Sequence, residues 1–450
     1  MTRIAATRLT LLTLLMVNFL NFFDRVIPAV ALEPIRREFA LDDTQLGLLL
    51  TAFTLVYAVA GVPFGWLADS LRRMRLLAVG VFLWSLLTAA SGVATNFVSL
   101  FLIRLGVGIG EASCAPAANS LIGDLYPAQK RSRALAVFML GVPLGTLTAF
   151  SLGGWLSAHY GWRTLFYVAA VPGGLLALCL WSLPEPIRGG QEKNRTVVHA
   201  EPIARPYRKV MAIRTLWWLT FSGATFNFAA YGLNAFLPTM MVRYHQATTV
   251  EAGMACALIF GVTGVIGLPL GGIIADKLHN KFPKGRLYFG SFSLFAAAPL
   301  LWLGLGRSQG DMVVMTLLVA SGWLFCFNYL VSALSSIQDV VEPRLRGMAI
   351  SIFFFFQYVL GAGLGSLATG TLSDRYAEIA RQAAAAPAIT DALRAMGLHS
   401  SLLTVVPLSV LLAGMCVFLA ARHYVSDAAK MAGAIGNHVV GKAPCNITEH

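Results

Sequence analysis

Four ionisable residues lie deep inside otherwise apolar stretches of the chain: Asp24, Arg25, Arg104 and Glu111. A charge at the centre of a bilayer costs at least about 2.5–3.5 kcal/mol, so such residues face a bundle interior or a wet cavity and mark function. Carboxylates in that setting can carry protons, and guanidinium groups can hold an anion. Spacing restricts which of them meet. Asp24 and Arg25 are adjacent, so they point about 100° apart on a helix and do not face one another. Arg104 and Glu111 share one face with Gly108 between them, but a rise of roughly 10 Å is too long for a tight pair. Pairing across helices is therefore expected, with Asp24 or Glu111 meeting Arg104 or Arg25. A carboxylate whose Arg partner moves away changes its proton affinity. Asp24 and Glu111 are thus expected to exchange protons while Arg25 or Arg104 holds an anionic group.

The second half of the sequence offers polar groups instead: Asn227, Tyr231 and Asn234, then Asn328 and Gln357. The first three follow i, i+4, i+7 spacing and share a helical face, which suits a central cavity or hydrogen bonding between helices. Proton handling is expected in the first half, with the second contributing shape. Phe353–Phe356 are expected to face lipid mostly. The Gly106-x-Gly108-x-Gly110 and Gly361-x-Gly363-x-Gly365 runs follow no strand, so they read as sites of close helix contact rather than phosphate loops. The six cysteines show no metal-ligand spacing and the eight histidines no cluster, so no metal site, cofactor or catalytic constellation is expected. The coupling ion, if any, would be a proton.

The elements that must position these residues are membrane helices. The 450 residues are 57% hydrophobic and 12% charged, with a mean hydropathy of +0.69; soluble domains carry about 25% charged residues. Apolar runs long enough to cross a bilayer recur near 9–32, 46–69, 75–94, 98–123, 133–158 and 164–183, then 214–242, 252–276, 286–305, 311–337, 346–372 and 400–421. The first is too long for the apolar core of a signal peptide and reads as a span. This is an all-α membrane protein with twelve transmembrane helices. A polar, basic linker at 184–213 divides two six-helix bundles, 1–183 and 214–421, and 422–450 forms a tail. The Ala-rich connection 373–399 is expected to extend the eleventh helix.

The net charge of +13 would suit nucleic acid, but the basic residues cluster in short turns and form no patch, so no nucleic-acid partner is expected. With the N-terminus inside, inner loops hold 19 Lys and Arg and outer loops 8. Both termini are therefore expected in the cytoplasm.

The halves also repeat. Gly65-Trp-Leu-Ala-Asp69 closes the second helix as Gly272-Ile-Ile-Ala-Asp276 closes the eighth, and Asp124 leading to Arg131 matches Asp339 leading to Arg346. Parallel repeats about an axis along the membrane normal are a recurring transporter architecture. Over its whole length the chain resembles the major facilitator superfamily, and Gly65–Arg75 resembles its signature loop, departing at Ser70 and Arg72. The resemblance implies two pseudo-symmetric bundles and a cytoplasmic gate latched by Asp69 and nearby Arg residues. The candidate gate set is Asp69, Arg73, Arg75, Asp124, Arg131, Asp276, Lys277, Asp339 and Arg346. Gly141-x-Pro143-x-Gly145 partly resembles the superfamily's antiporter motif, which implies a bend.

Within the superfamily, Asn21-Phe-Phe-Asp24-Arg25, Gly108-Ile-Gly110-Glu111-Ala112-Ser113, Gly161-Trp-Arg163 and Gln338-Asp339 resemble the spinster family of lipid transporters. That resemblance implies a proton-coupled transporter of an amphipathic, lipid-like anion such as a lysophospholipid, with Asn21 beside the charged residues. The alternatives are a small organic acid:proton symporter and, from another class, a membrane receptor or lipid-modifying enzyme. The expected partners are the substrate and membrane lipids, the expected state a monomer, and the expected location the plasma membrane (a bacterial inner membrane).

Overall fold

The computed structural model describes residues 3–188, 206–342 and 345–440, with the Asp69 side chain outside the description. Much of the expected linker 184–213 and the end of the tail 422–450 therefore lie outside the described residues.

Twelve long helices account for most of the described residues. The first half contains α1 (Arg3–Phe39), α2 (Asp43–Ser70), α3 (Arg73–Ser91), α4 (Phe97–Glu111 continuing as Cys114–Leu125), α5 (Ala128–Met139 continuing as Gly141–Tyr160) and α6 (Trp162–Ser182). After a short helix, Pro206–Met211, come α7 (Arg214–Tyr244), α8 (Thr249–Lys281 with a π-helical turn at Ala257–Val262), α9 (Gly285–Leu305) and α10 (Met312–Val340). The second half ends with α11 (Arg346–Phe356, a π-helical turn at Gln357–Ala362, then Gly363–Ala383) and α12 (Asp391–Val440). Eleven of these helices are long and apolar enough to cross a membrane. The other, α7, has the length but carries Thr220, Ser222, Asn227, Tyr231 and Asn234. Much of its surface is buried against protein, and a helix shielded from lipid need not be uniformly apolar.

The helix ends repeat between the halves. After α1, Ala40 adopts a left-handed conformation (φ 53) and Asp42 opens α2 with a capping box to Gln45. After α7, Gln246 does the same (φ 57) and Thr248 opens α8 with a capping box to Glu251. Each box satisfies otherwise orphaned amides at a helix start. Between α5 and α6 the chain reverses at Gly161, whose φ of 81 is favourable only without a Cβ.

Several boundaries differ from the sequence expectation. α1 continues beyond residue 32 to Phe39, carrying Glu33, Arg36 and Arg37 within the helix. The connection 373–399 is not one extension of the eleventh helix: α11 stops at Ala383, Ala385 turns left-handed, and 391–399 begins α12. The tail continues α12 through Val440. Phe353 does not face lipid; it is fully buried near Gly223, whereas Phe354 and Phe355 are exposed.

The glycine runs sit at close helix crossings. A Cβ on Gly108 would lie 2.9 Å from the Phe53 carbonyl oxygen of α2, and one on Gly365 would collide with the Phe228 carbonyl oxygen of α7. Where a bend is expected near Pro143, the two stretches of α5 join at Leu140, which keeps helical torsions (φ −60, ψ −22), and Gly141 and Gly145 lie against the α1 backbone at Phe19.

The two halves are fastened at the end of the bundle that carries Arg243. There the Arg243 guanidinium of α7 donates to Glu33 of α1 at 2.6 Å and to both carboxylate oxygens of Asp43 of α2 at 2.9 and 3.0 Å. Asp43 also accepts from Ser373 of α11 at 2.7 Å. Asp374, again from α11, caps α2 across the interface by accepting from the Thr44 amide and hydroxyl at 2.8 and 2.6 Å. Arg36 reaches Asp391 of α12 at 3.2 Å. Toward the opposite end, which carries Arg73, α2 exposes Val59, Val62 and Trp66, and α8 exposes Ile266, Leu270 and Ile273.

Candidate functional site

A cavity of about 220 Å³ lies between the halves. Four helices of the first half (α1, α2, α4, α5) and four of the second (α7, α8, α10, α11) line it. The first half presents both cations, Arg25 and Arg104, with Phe22, Phe53 and Thr54. The second half contributes a greasy wall of Phe226, Phe260, Leu268, Trp323, Phe327 and Leu330, interrupted by Tyr231 and Asn234.

Behind this surface the four charges take different partners. Glu111 is fully buried, and its Oε2 accepts from Arg25 Nε at 2.9 Å and from Asn21 Nδ2 at 3.0 Å. Arg25 is thus shared, bonded to a carboxylate on one side and facing the cavity on the other. Its guanidinium also stacks over Tyr57 at 3.9 Å and approaches Phe22 at 5.0 Å, contacts that suit a cation on an aromatic face. Arg104 donates to the main-chain oxygen of Asp24 at 3.2 Å and lies 5.0 Å from the Phe53 ring. Among the described residues, one terminal nitrogen of each arginine has no protein acceptor. Both can therefore donate to an anion in the cavity. The Asp24 carboxyl is fully buried and accepts no hydrogen bond within the described residues.

The cross-helix pairing inferred from spacing thus resolves to Arg25 with Glu111, while Arg104 takes the Asp24 backbone rather than its side chain. Of the polar residues in the second half, Tyr231 and Asn234 reach the cavity. Asn227 packs where Gly361 of α11 crosses α7, Asn328 lies against Gly271 of α8, and the buried Gln357 opens the π-helical turn near Gly223. Sequence reasoning missed Tyr57 and Tyr358. Their rings stand 5.7 Å apart and link Arg25 to Tyr231 across the two halves. Nothing in their apolar surroundings singled them out.

The expected gate residues cluster at the Arg73 end, and each half closes its own cluster. Arg73 pairs with Asp124 and with Glu185 at 3.0 Å, and Glu185 also accepts from the Met74 amide at 2.9 Å. In the second half Arg286 bridges Asp276 and Asp339 at 2.7 Å each, and the Tyr424 hydroxyl donates to Asp339 at 2.9 Å. Arg131 donates to the Gly123 carbonyl at 2.7 Å, and Arg346 likewise donates to the Gln338 carbonyl at 3.0 Å, each eight residues back. Arg75 lies over Trp181 at 5.6 Å, and Lys277 is exposed. The Asp69 side chain lies outside the described residues. Arg286 was overlooked, although its distance from Arg73 matches the repeat. The charges that bridge the halves, Glu33, Asp43, Arg243 and Asp374, were also missed, because in sequence they look like ordinary loop-end charges.

Comparison with known proteins agrees with this architecture. The family model described as Major Facilitator Superfamily matches residues 14–366. An MFS-type efflux pump of Mycolicibacterium smegmatis is 29% identical over 415 residues, covering 92% of each chain. Protein spinster homolog 3 of Mus musculus is 30% identical over 383 residues, covering 80% of this chain and 73% of its own. A crystal structure of a bacterial homolog to the human lysosomal transporter Spinster, inward-facing and unoccupied, superposes with a TM-score of 0.85 at 28% identity. That match covers 94% of this chain and 98% of the other.

Proposed function

The chain belongs to the major facilitator superfamily and, within it, to the spinster group of integral, multi-pass membrane transporters; from that premise we propose that it couples protons to the transport of an amphipathic, lipid-like anion such as a lysophospholipid. The observation that carries this reading is the polarity of the cavity. Two guanidinium groups stand on one side and an aromatic and aliphatic wall on the other. An anionic head would take the spare donors of Arg25 and Arg104, and an acyl chain would lie against Phe226, Trp323 and Phe327. Transfer of apolar surface to that wall is favourable by roughly 25 cal/mol per Å².

Coupling follows from the shared arginine. A substrate anion on Arg25 competes with Glu111 for the same cation, so binding alters the proton affinity of Glu111. Asp24, buried one residue away on α1, is the second proton-exchanging group. The excess of basic residues at the Arg73 end supports a cytoplasmic placement for that end. The fastened Arg243 end would then face outward, and the conformation described is open inward. Alternating access requires the Arg243 ion pairs to break while the Arg73 end closes. The proposed location is the plasma membrane.

Proteoliposomes with an imposed pH gradient test the proposal, with lysophosphatidylglycerol and gluconate as alternative probes. Gradient-driven movement of lysophosphatidylglycerol, lost in Glu111→Gln, is expected. Movement of gluconate alone would transfer the reading to an organic acid:proton symporter. Gradient-driven transport that persists in Glu111→Gln would remove Glu111 as a coupling group.

A further inference from the structure

A second set of buried polar atoms lies outside the cavity, on α3. Trp84 is fully buried. It is wedged against α4, where a Cβ on Gly110 would lie 2.8 Å from the Trp84 Cβ. Its indole N–H lies within interaction reach of the Asp24 carboxyl, yet neither the Trp84 Nε1 nor either Asp24 carboxyl oxygen closes a hydrogen bond among the described residues. The hydroxyls of Ser85 and Thr88 beside it are likewise buried and unsatisfied. An indole N–H can only donate, and an ionised carboxyl can only accept. Buried tryptophans ordinarily find a partner for that N–H. Two complementary groups within reach of each other without bonding are poised to pair after a small helix shift. The charged groups facing Asp24 are Glu111 and Arg104 of α4, and Arg25 follows it on α1. Arg25 is bonded to Glu111, and Arg104 is bonded to the Asp24 main chain. Trp84 therefore offers the Asp24 side chain a neutral N–H, unbonded in this conformation, that would not compete for the substrate anion.

We propose that Trp84 is a positioning residue for Asp24: its indole N–H closes onto the carboxyl in one state of the transport cycle and releases it in the other. The helix α3, which does not line the cavity, would thereby set when Asp24 gives up its proton. The inference rests on the reading that Asp24 exchanges a proton during transport.

The experiment compares Trp84→Phe, which keeps an aromatic ring and removes the donor, with Asp24→Asn, in the full chain. Infrared difference spectra across pH identify the Asp24 carboxyl band by its loss in Asp24→Asn. The pH dependence of lysophosphatidylglycerol transport is measured in proteoliposomes. In Trp84→Phe the Asp24 band is expected to move, and the midpoint of the pH–rate profile to shift by about one unit, a tenfold change in proton concentration. Trp84→Phe in the Asp24→Asn background should produce no such shift. A uniform fall in rate with an unmoved midpoint and band would overturn the inference, because packing alone produces that result. An Asp24 band that never titrates in the parent protein would instead defeat the proton reading of Asp24, and the inference with it. Should Trp84→Phe fold poorly, benzothienylalanine at position 84 preserves the bicyclic shape without the N–H, and the same shift in band and midpoint is required of it.

Discussion

The two halves share a scaffold and divide the chemistry. Arg73 meets Asp124 as Arg286 meets Asp339, and Arg131 and Arg346 each donate to the carbonyl eight residues back. The left-handed residues and capping boxes that follow α1 and α7 also correspond. The interiors differ. The first half buries Asp24, Arg104 and Glu111 and holds Arg25 half-buried beside them, whereas α7 and α10 bring together neutral groups, such as Ser222 donating to the Tyr329 hydroxyl at 2.9 Å. Among the described residues the π-helical turns belong to the second half, in α8 and α11; such turns concentrate at functional positions. Duplicated surface features maintain a common fold, while the unpaired interiors are where function separates. One half supplies charge, and the other supplies shape and a backbone that departs from ideal.

The sharpest way to break this comparison is to exchange the roles. Arg25→Gln leaves Glu111 buried without its cation, which typically costs about 3–5 kcal/mol. Transport of lysophosphatidylglycerol in proteoliposomes should fall at least about a hundredfold, while Tyr231→Phe on the opposite wall should change it by less than about threefold. The reverse order would mean that the second half carries the anion site. Next comes the fastening between the halves. Arg243→Ala leaves Asp43 without its cation and unties Glu33, which keeps Arg36 and Arg37, from the second half, and should shift the population toward opening at that end by about tenfold or more. Spin labels on α2 and α11 at that end would show a longer distance, and an unchanged distribution would remove Arg243 as the latch at that end.

Smaller effects sharpen the scaffold equivalence. Asp427 of α12 caps α7 by accepting from the Thr215 amide at 3.0 Å, much as Glu185 caps α3. Asp427→Ala should cost about 1 kcal/mol, a fall of roughly 2–4 °C in thermal unfolding, and Glu185→Ala a somewhat larger amount because it also removes one of the two carboxylates paired with Arg73. Smallest is a pH effect at His245, just beyond α7. Burial, with His399 nearby, holds its pKa below the ordinary histidine value. The folded protein therefore favours neutral His245, and this contribution is complete above about pH 6.5, the unfolded value. It is lost as pH falls below that value. His245→Gln should narrow the difference in melting temperature between pH 7.5 and pH 5, and an unchanged difference would show that His245 does not contribute.

Much of this was legible in the sequence. The hydropathy runs gave the spans, because a bilayer demands long apolar helices whatever their arrangement. The cost of intramembrane charge singled out Asp24, Arg25, Arg104 and Glu111 without any knowledge of their neighbours. The matched segments around Asp69 and Asp276 gave the repeat. The failures have a common origin. Glu33 and Arg243 fall just past the apolar runs 9–32 and 214–242, where charge is unremarkable, and Asp374 follows a span as loop residues do; only packing brings them together across 210 positions between Glu33 and Arg243. The break at Ala385 and the early start of α12 were hidden because an Ala-rich stretch favours helix on both sides.

Composition and periodicity therefore determined that this chain is a bundle of membrane helices with a charged first half, since those depend on local transfer energies. Which charges pair, which face the cavity, and at which end the halves are fastened were decided by tertiary structure alone. Each of those depends on the rotation and crossing of helices distant in sequence, and a single helix carries no record of its neighbour's face.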